Sequence, residues 1–196
     1  MRDSAAPWQP LVLALLLPLL PGCAPLIAAG VVSGVGTGVA ISQDRRTSGT
    51  FVEDEGIEIK SGRRIGEKFG SDVHVNVTSF NRNVLLTGEA PSDQAREEIG
   101  MLVGKVENVR GVVNEMVVAA PSSYASRSND TLITSKVKSR FLDIGGFQAN
   151  HVKVVTENGV VFLLGVVNRK EAASAAGIAS STSGVRKVVK VFEYLD

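Results

Sequence analysis

Cys23 is the only thiol in a chain of 196 residues. A lone cysteine closes no intrachain disulfide, so its chemistry must come from its surroundings. Residues 11–20 read LVLALLLPLL, an uncharged stretch that is short for a helix crossing a bilayer core of about 30 Å, which takes about 20 residues. It reads as the apolar core of an export signal, with Arg2 upstream and Pro21 and Gly22 leading into the thiol. A second set of reactive types is basic. Lys136, Lys138 and Arg140 alternate along a segment that also carries Leu132, Ile133, Val137, Phe141 and Leu142. Wound as a helix, that segment is a basic amphipathic face suited to an anionic surface, where each cation contributes about 1 kcal/mol. Ile133, Val137 and Phe141, at four-residue spacing, fit a core stripe as well, with the lysines on a solvated face. Leu132 lies about 100° round the helix from Ile133 and is the better candidate for exposure.

The remaining candidates carry less chemistry. His74 and His151 are the only histidines and stand at equivalent places on the polar sides of two strands. One per repeat supplies too few ligands, and no cysteine or carboxylate cluster of metal-site spacing accompanies them. Gly34, Gly36 and Gly38 lack the strand-to-helix context and the lysine of a phosphate loop. No serine or cysteine nucleophile pattern occurs, so neither catalysis, a metal nor a cofactor is expected.

The elements that position these residues come twice. Residues 73–104 superpose on 150–181 without a gap: His74-Val75 recurs as His151-Val152, Val84 as Val161, Gly88 as Gly165 and Gly100 as Gly177. Val109-Arg110 then answers Val185-Arg186 after the loss of one residue. Val73, Val75 and Val77 alternate with polar residues as a half-buried strand does. Asn158-Gly159, with Asn81-Arg82-Asn83 in the first copy, gives a tight turn into a returning strand, which Gly88 or Gly165 is expected to end. Ser92 in one copy, and Asn168 with Glu171 in the other, start a helix of about a dozen residues. Residues 112–118 and 188–195 form a third strand, parallel to a strand of the same sheet because a helical crossover leads to it. A leading helix precedes each copy, weak at 57–69 where Gly62 and Gly66 interrupt, stronger at 130–142 with Asp130 as its cap.

Composition fits this. With 44% hydrophobic residues, 21% charged and a net charge of +1, the chain is neither disordered nor polytopic. The charge is uneven, however: residues 53–118 carry a formal −4 and residues 128–196 a formal +3. The acidic first copy would suit a protein partner and the basic second copy an anionic surface. Nucleic acid is not an expected partner for an exported chain. Residues 26–41, apolar and glycine-rich, read as a tether near the lipid surface rather than a span.

Leu20-Pro21-Gly22-Cys23 resembles the lipobox of bacterial lipoproteins, which implies cleavage before Cys23 and its lipidation; Ala24, in place of an aspartate, implies sorting to the outer membrane. Each repeat resembles a BON domain. The stretches that carry the likeness are Asn76-Val77-Thr78, Val84-Leu85-Leu86-Thr87-Gly88, Ser128-Asn129-Asp130-Thr131, Thr156-Glu157-Asn158-Gly159 and Ser183-Gly184-Val185. Taken whole, the chain resembles the dual BON-domain outer-membrane lipoproteins. That implies an α+β fold of two tandem BON domains, each αββαβ with a three-stranded mixed sheet on two helices. The expected boundaries are a signal peptide at 1–22, a lipidated tether at 23–52, the first domain at 53–119, a linker at 120–127 and the second domain at 128–196. The resemblance further implies a periplasm-facing protein that supports envelope integrity, associates with division sites and binds anionic phospholipid through the first helix of its second domain. Leu132, Lys136, Val137, Lys138, Arg140 and Leu142 are the expected lipid-binding residues. Where that family carries an aromatic residue after Asn-Asp-Thr, this chain has Leu132, which keeps apolar character without an aromatic anchor. The alternative is an adaptor for an envelope protein, in outer-membrane assembly or in the regulation of cell-wall hydrolases. The oligomeric state is left open.

Overall fold

A computed structural model describes residues 44–144 and 146–196; the expected signal peptide, Cys23 and the glycine-rich residues 26–41 lie outside the described residues. The elements run α1 (Ser48–Phe69), β1 (His74–Phe80), β2 (Asn83–Ala90), α2 (Asp93–Gly104), β3 (Gly111–Asn114) and a short β4 (Val117–Val118). The second copy follows as α3 (Tyr124–Ile144), a 3-10 turn at Ala149–His151, β5 (Val152–Glu157), β6 (Val160–Val167), α4 (Arg169–Ser180) and β7 (Lys187–Tyr194). The αββαβ order therefore occurs twice. In each copy the middle strand pairs antiparallel with the first and parallel with the third, as a hairpin followed by a helical crossover requires.

Both leading helices start earlier than their sequences suggest. Thr47 caps α1, its side chain accepting from the Thr50 amide, and the helix continues through Gly62 and Gly66. Two helical glycines cost about 1 kcal/mol each relative to alanine. Burying Ile57 and Ile65 against the sheet stabilises by about 1.5–3 kcal/mol apiece and offsets that cost. In α3 the serine-rich stretch read as linker supplies the start, Ser123 Oγ accepting from the Ser126 amide at 3.2 Å. Asp130 is thus mid-helix and buried rather than a cap. Its carboxylate accepts the Asn158 and Gly159 amides, both at 2.8 Å, and so pins the β5–β6 turn to the helix. Asp54 does the same for the first copy, taking the Asn81 amide at 2.9 Å and the Arg82 amide at 2.7 Å. The buried series Asp54, Ile57, Ser61, Ile65 is repeated as Asp130, Ile133, Val137, Phe141.

These carboxylates act on the turns that need them. Asn81, Arg82, Asn158 and Gly159 all have positive φ, 52°, 64°, 48° and 71°. Such values match a two-residue hairpin but cost a side-chain-bearing residue about 1–2 kcal/mol. Gly88 and Gly165 stand inside β2 and β6 instead of ending them. A Cβ at Gly88 would lie 2.1 Å from the His74 carbonyl oxygen, and one at Gly165 would lie 2.4 Å from that of His151. The third strand of the first copy breaks at Glu115-Met116, where Met116 turns into the core. Ser92 and the Asn168–Glu171 capping box begin 12-residue helices, as read from sequence. Ser92→Ala is expected to lower stability by about 1 kcal/mol in urea unfolding.

Alternation along the middle strands builds the rest. Val84 and Leu86 face α1 and α2, whereas Val161 and Leu163 face α3 and α4. Their neighbours Leu85, Phe162 and Leu164 join Phe80 in a third buried cluster between the two sheets. The sheets therefore pack on each other, in an α-β-β-α stack whose helices form the outer layers. Polar bonds rim this seam: Lys153 Nζ to Glu58 Oε1 at 2.9 Å, Asn81 Nδ2 to Glu193 Oε2 at 2.8 Å, and Asn76 Nδ2 to Glu157 Oε2 at 2.7 Å. Arg45 also reaches the second copy, gripping both oxygens of Glu171 at 2.7 and 2.8 Å. That grip holds the Glu171 carboxyl below its ordinary pKa, against the burial that would raise it. Glu171 accordingly adds stability above the unfolded carboxylate pKa and loses it as pH falls through the folded one.

Candidate membrane-binding site

α3 is 21 residues long, about 32 Å end to end, and only one side of it is committed to the core. Ile133, Val137 and Phe141 pack into the buried cluster under the sheet. Val137 has no exposed surface, so it leaves the expected lipid-binding set; the four-residue stripe to which it belongs is a core stripe. Arg140 is drawn inward as well. Its guanidinium Nη1 donates to the Ile178 carbonyl at 3.0 Å and to the Ser181 and Thr182 hydroxyls at 3.0 and 2.8 Å. It thereby satisfies a carbonyl at the negative end of α4, where a cation is favoured.

The other four expected residues remain outside. Leu132 is 59% exposed and Leu142 78% exposed, and Lys136 and Lys138 are exposed too. Leu132 with Lys136, and Lys138 with Leu142, are each one helical turn apart, so two leucine–lysine pairs occupy the outer half of α3. Neither lysine has an ion-pair or hydrogen-bond partner among the described residues. Their positive charge is directed at solvent, beside apolar surface that nothing in the fold covers.

Tyr124 extends the same surface, and sequence reading missed it. It lies five turns before Leu142, on the same side of the helix, with the Arg127 guanidinium 4.8 Å from its ring centre. Assignment of residues 120–127 to a linker hid it; an aromatic just past a serine pair, with an arginine three residues on, was the available signal. Among the described residues no helix is long and apolar enough to cross a membrane.

The histidines part company. His74 is on β1, as expected, whereas His151 falls in the 3-10 turn before β5 and is buried. His74 has two carboxylates from elsewhere in the chain near it, Glu89 and Glu157, an arrangement that no local spacing signals.

Two helices over a mixed sheet occur twice, and the BON-domain profile matches both copies, at residues 54–120 and 129–196, which makes this a tandem BON-domain protein. The chain belongs to the BON-domain family of outer-membrane lipoproteins. It is similar to the outer membrane lipoprotein DolP of Haemophilus influenzae, 40% identical over 179 residues, 90% of this chain and 91% of the relative. A 21 kDa hemolysin of Actinobacillus pleuropneumoniae is 35% identical over 154 residues, 78% of this chain and 79% of that protein. Osmotically-inducible protein Y of Escherichia coli is 27% identical over 183 residues, 83% of this chain and 91% of that protein.

Proposed function

We propose that the protein is held at the periplasmic side of the outer membrane by a lipidated Cys23 and binds anionic phospholipid through the outer half of α3. In this reading it maintains envelope integrity and acts at division sites. Its role is one of binding rather than catalysis. The observation that carries it is the pair of unpartnered lysines, Lys136 and Lys138, set one turn from Leu132 and Leu142 on an exposed helix face. Acyl chains and a basic patch are complementary devices, since one anchor fixes the molecule and the other sets which surface meets the headgroups.

Flotation of an unacylated chain starting at Asp44 tests this. The chain is expected to rise with vesicles containing phosphatidylglycerol and to stay down with pure phosphatidylcholine. Raising salt from about 50 mM to about 500 mM is expected to release it, because the Debye length shrinks below the lysine–headgroup separation. Equal recovery on neutral and anionic vesicles, or binding indifferent to salt, would sink the proposal.

A further inference from the structure

We propose that His74, Glu89 and Glu157 form a divalent-cation site that clamps the two BON domains together. The sheet-to-sheet seam is apolar at its centre and polar around its rim, with one polar cluster at the His74 end of β1. There His74 stands opposite Glu89, and Asn76 opposite Thr87, in the β1–β2 register. Leu85, Thr87 and Glu89 share one face of β2, the face turned to the second domain, and Glu157 closes the end of β5. One ligand atom from each of His74, Glu89 and Glu157 lies within 4.8 Å of the other two. Zinc bound by oxygen and nitrogen at about 2.0–2.2 Å sets tetrahedral ligands about 3.3–3.5 Å apart, so closure needs side-chain rotation of little more than 1 Å.

The electrostatics ask for a cation. Glu89 is 3% exposed and Glu157 8% exposed, and neither pairs with a lysine or arginine among the described residues. Glu89 Oε2 receives the Ser122 amide at 3.2 Å, and Glu157 Oε2 receives Asn76 Nδ2 at 2.7 Å. One neutral donor each does not compensate two buried carboxylates. Burial raises the Glu157 carboxyl above its ordinary pKa; the Asn76 bond opposes this, the charges of Glu89 and Asp130 add to it, and His74 lowers it.

A second observation is independent of charge. Thr87, 1% exposed, sits two residues before Glu89 on the same strand face, and its hydroxyl has no hydrogen-bond partner. A buried hydroxyl of this kind costs free energy unless something else meets it. A cleft of about 490 Å³, lined by His74, Asn76 and Glu157 together with Arg127, Asp130 and Lys138, reaches two of the three ligands from solvent. One imidazole and two carboxylates suit Zn²⁺ with a fourth position for water, and Asn76 is the positioning residue that aims Glu157. Two ligands come from the first domain and one from the second, so occupancy stabilises their docking.

The test uses the full chain in detergent, stripped with EDTA and titrated with ZnCl₂ alone. Calorimetry and metal analysis after desalting are expected to give one zinc per chain, with a rise in Tm. His74→Gln and Glu157→Gln are each expected to weaken binding by more than about tenfold and to remove the Tm rise, while His151→Gln keeps both. Glu157→Gln preserves volume and the Asn76 contact while removing a buried charge, so its Tm in EDTA is expected to equal or exceed that of the parent, which establishes that it folds. No zinc retained at 100 µM, zinc binding unchanged by Glu157→Gln, or a carboxyl pair that takes up a shared proton and ignores zinc would each overturn the proposal.

Discussion

Asp54→Ala is expected to lower the unfolding free energy by about 3–5 kcal/mol, the range for breaking a buried charge pair by removing one partner. Asp54 Oδ1 accepts the Ser79 hydroxyl at 2.6 Å and the Arg82 amide at 2.7 Å, while Oδ2 accepts the Asn81 amide at 2.9 Å and Arg46 Nη1 at 2.8 Å. The substitution strands two turn amides in a conformation that Asn81 and Arg82 hold at a cost, and leaves Arg46 with Asp44 alone. That guanidinium lies 4.0 Å from the Phe80 ring centre and has little access to water. Asp130→Ala removes two turn amide bonds and no arginine, so a smaller loss, about 2–3 kcal/mol, is expected there. Urea unfolding followed by circular dichroism separates the two. A loss under about 1 kcal/mol for Asp54→Ala, or the reverse order, would show that the turns hold without these carboxylates.

Reversing both free lysines, Lys136→Glu with Lys138→Glu, is expected to weaken binding to anionic vesicles about a thousandfold at low salt. Each elementary charge near such a surface is worth about 1 kcal/mol, and the pair changes the charge of α3 by four. Both side chains are exposed and make no internal bond, so the fold should tolerate the change, with a urea midpoint close to the parent value. Arg140→Gln is the contrast. Because its guanidinium serves the end of α4, its loss should register in stability more than in lipid affinity. A double lysine variant that still binds within a factor of about ten would move the lipid surface away from α3.

Local rules were legible in the sequence wherever the partners are local. The Asn158-Gly159 turn, the Ser92 cap and the Asn168–Glu171 box follow from residues a few positions apart, and the parallel third strand follows from the helical crossover that leads to it. The misreadings share one cause: the deciding partner lies elsewhere in the chain. Asp130 before an apolar run has the chemistry of a helix cap, a carboxylate accepting backbone amides, yet the amides it accepts are those of a distant hairpin. Gly62 and Gly66 weaken a helix in isolation, and tertiary burial of Ile57 and Ile65 outweighs them. Val137 belonged to two candidate faces until the sheet showed which was inward. The runs Val84-Leu85-Leu86 and Val161-Phe162-Leu163-Leu164, apolar without alternation, do signal strands covered on both sides. They cannot say that each domain covers the other.

The α-β-β-α stack gives the molecule a top and a bottom. Its two helical layers lie about 30 Å apart across the paired sheets, and they belong to halves of opposite formal charge, −4 and +3. In the proposed lipid-bound state the uneven charge orients such a particle, turning the cationic half toward a negatively charged sheet of lipid. In that state the helices of the first domain face the aqueous compartment, out of reach of the headgroups and open to whatever approaches from that side.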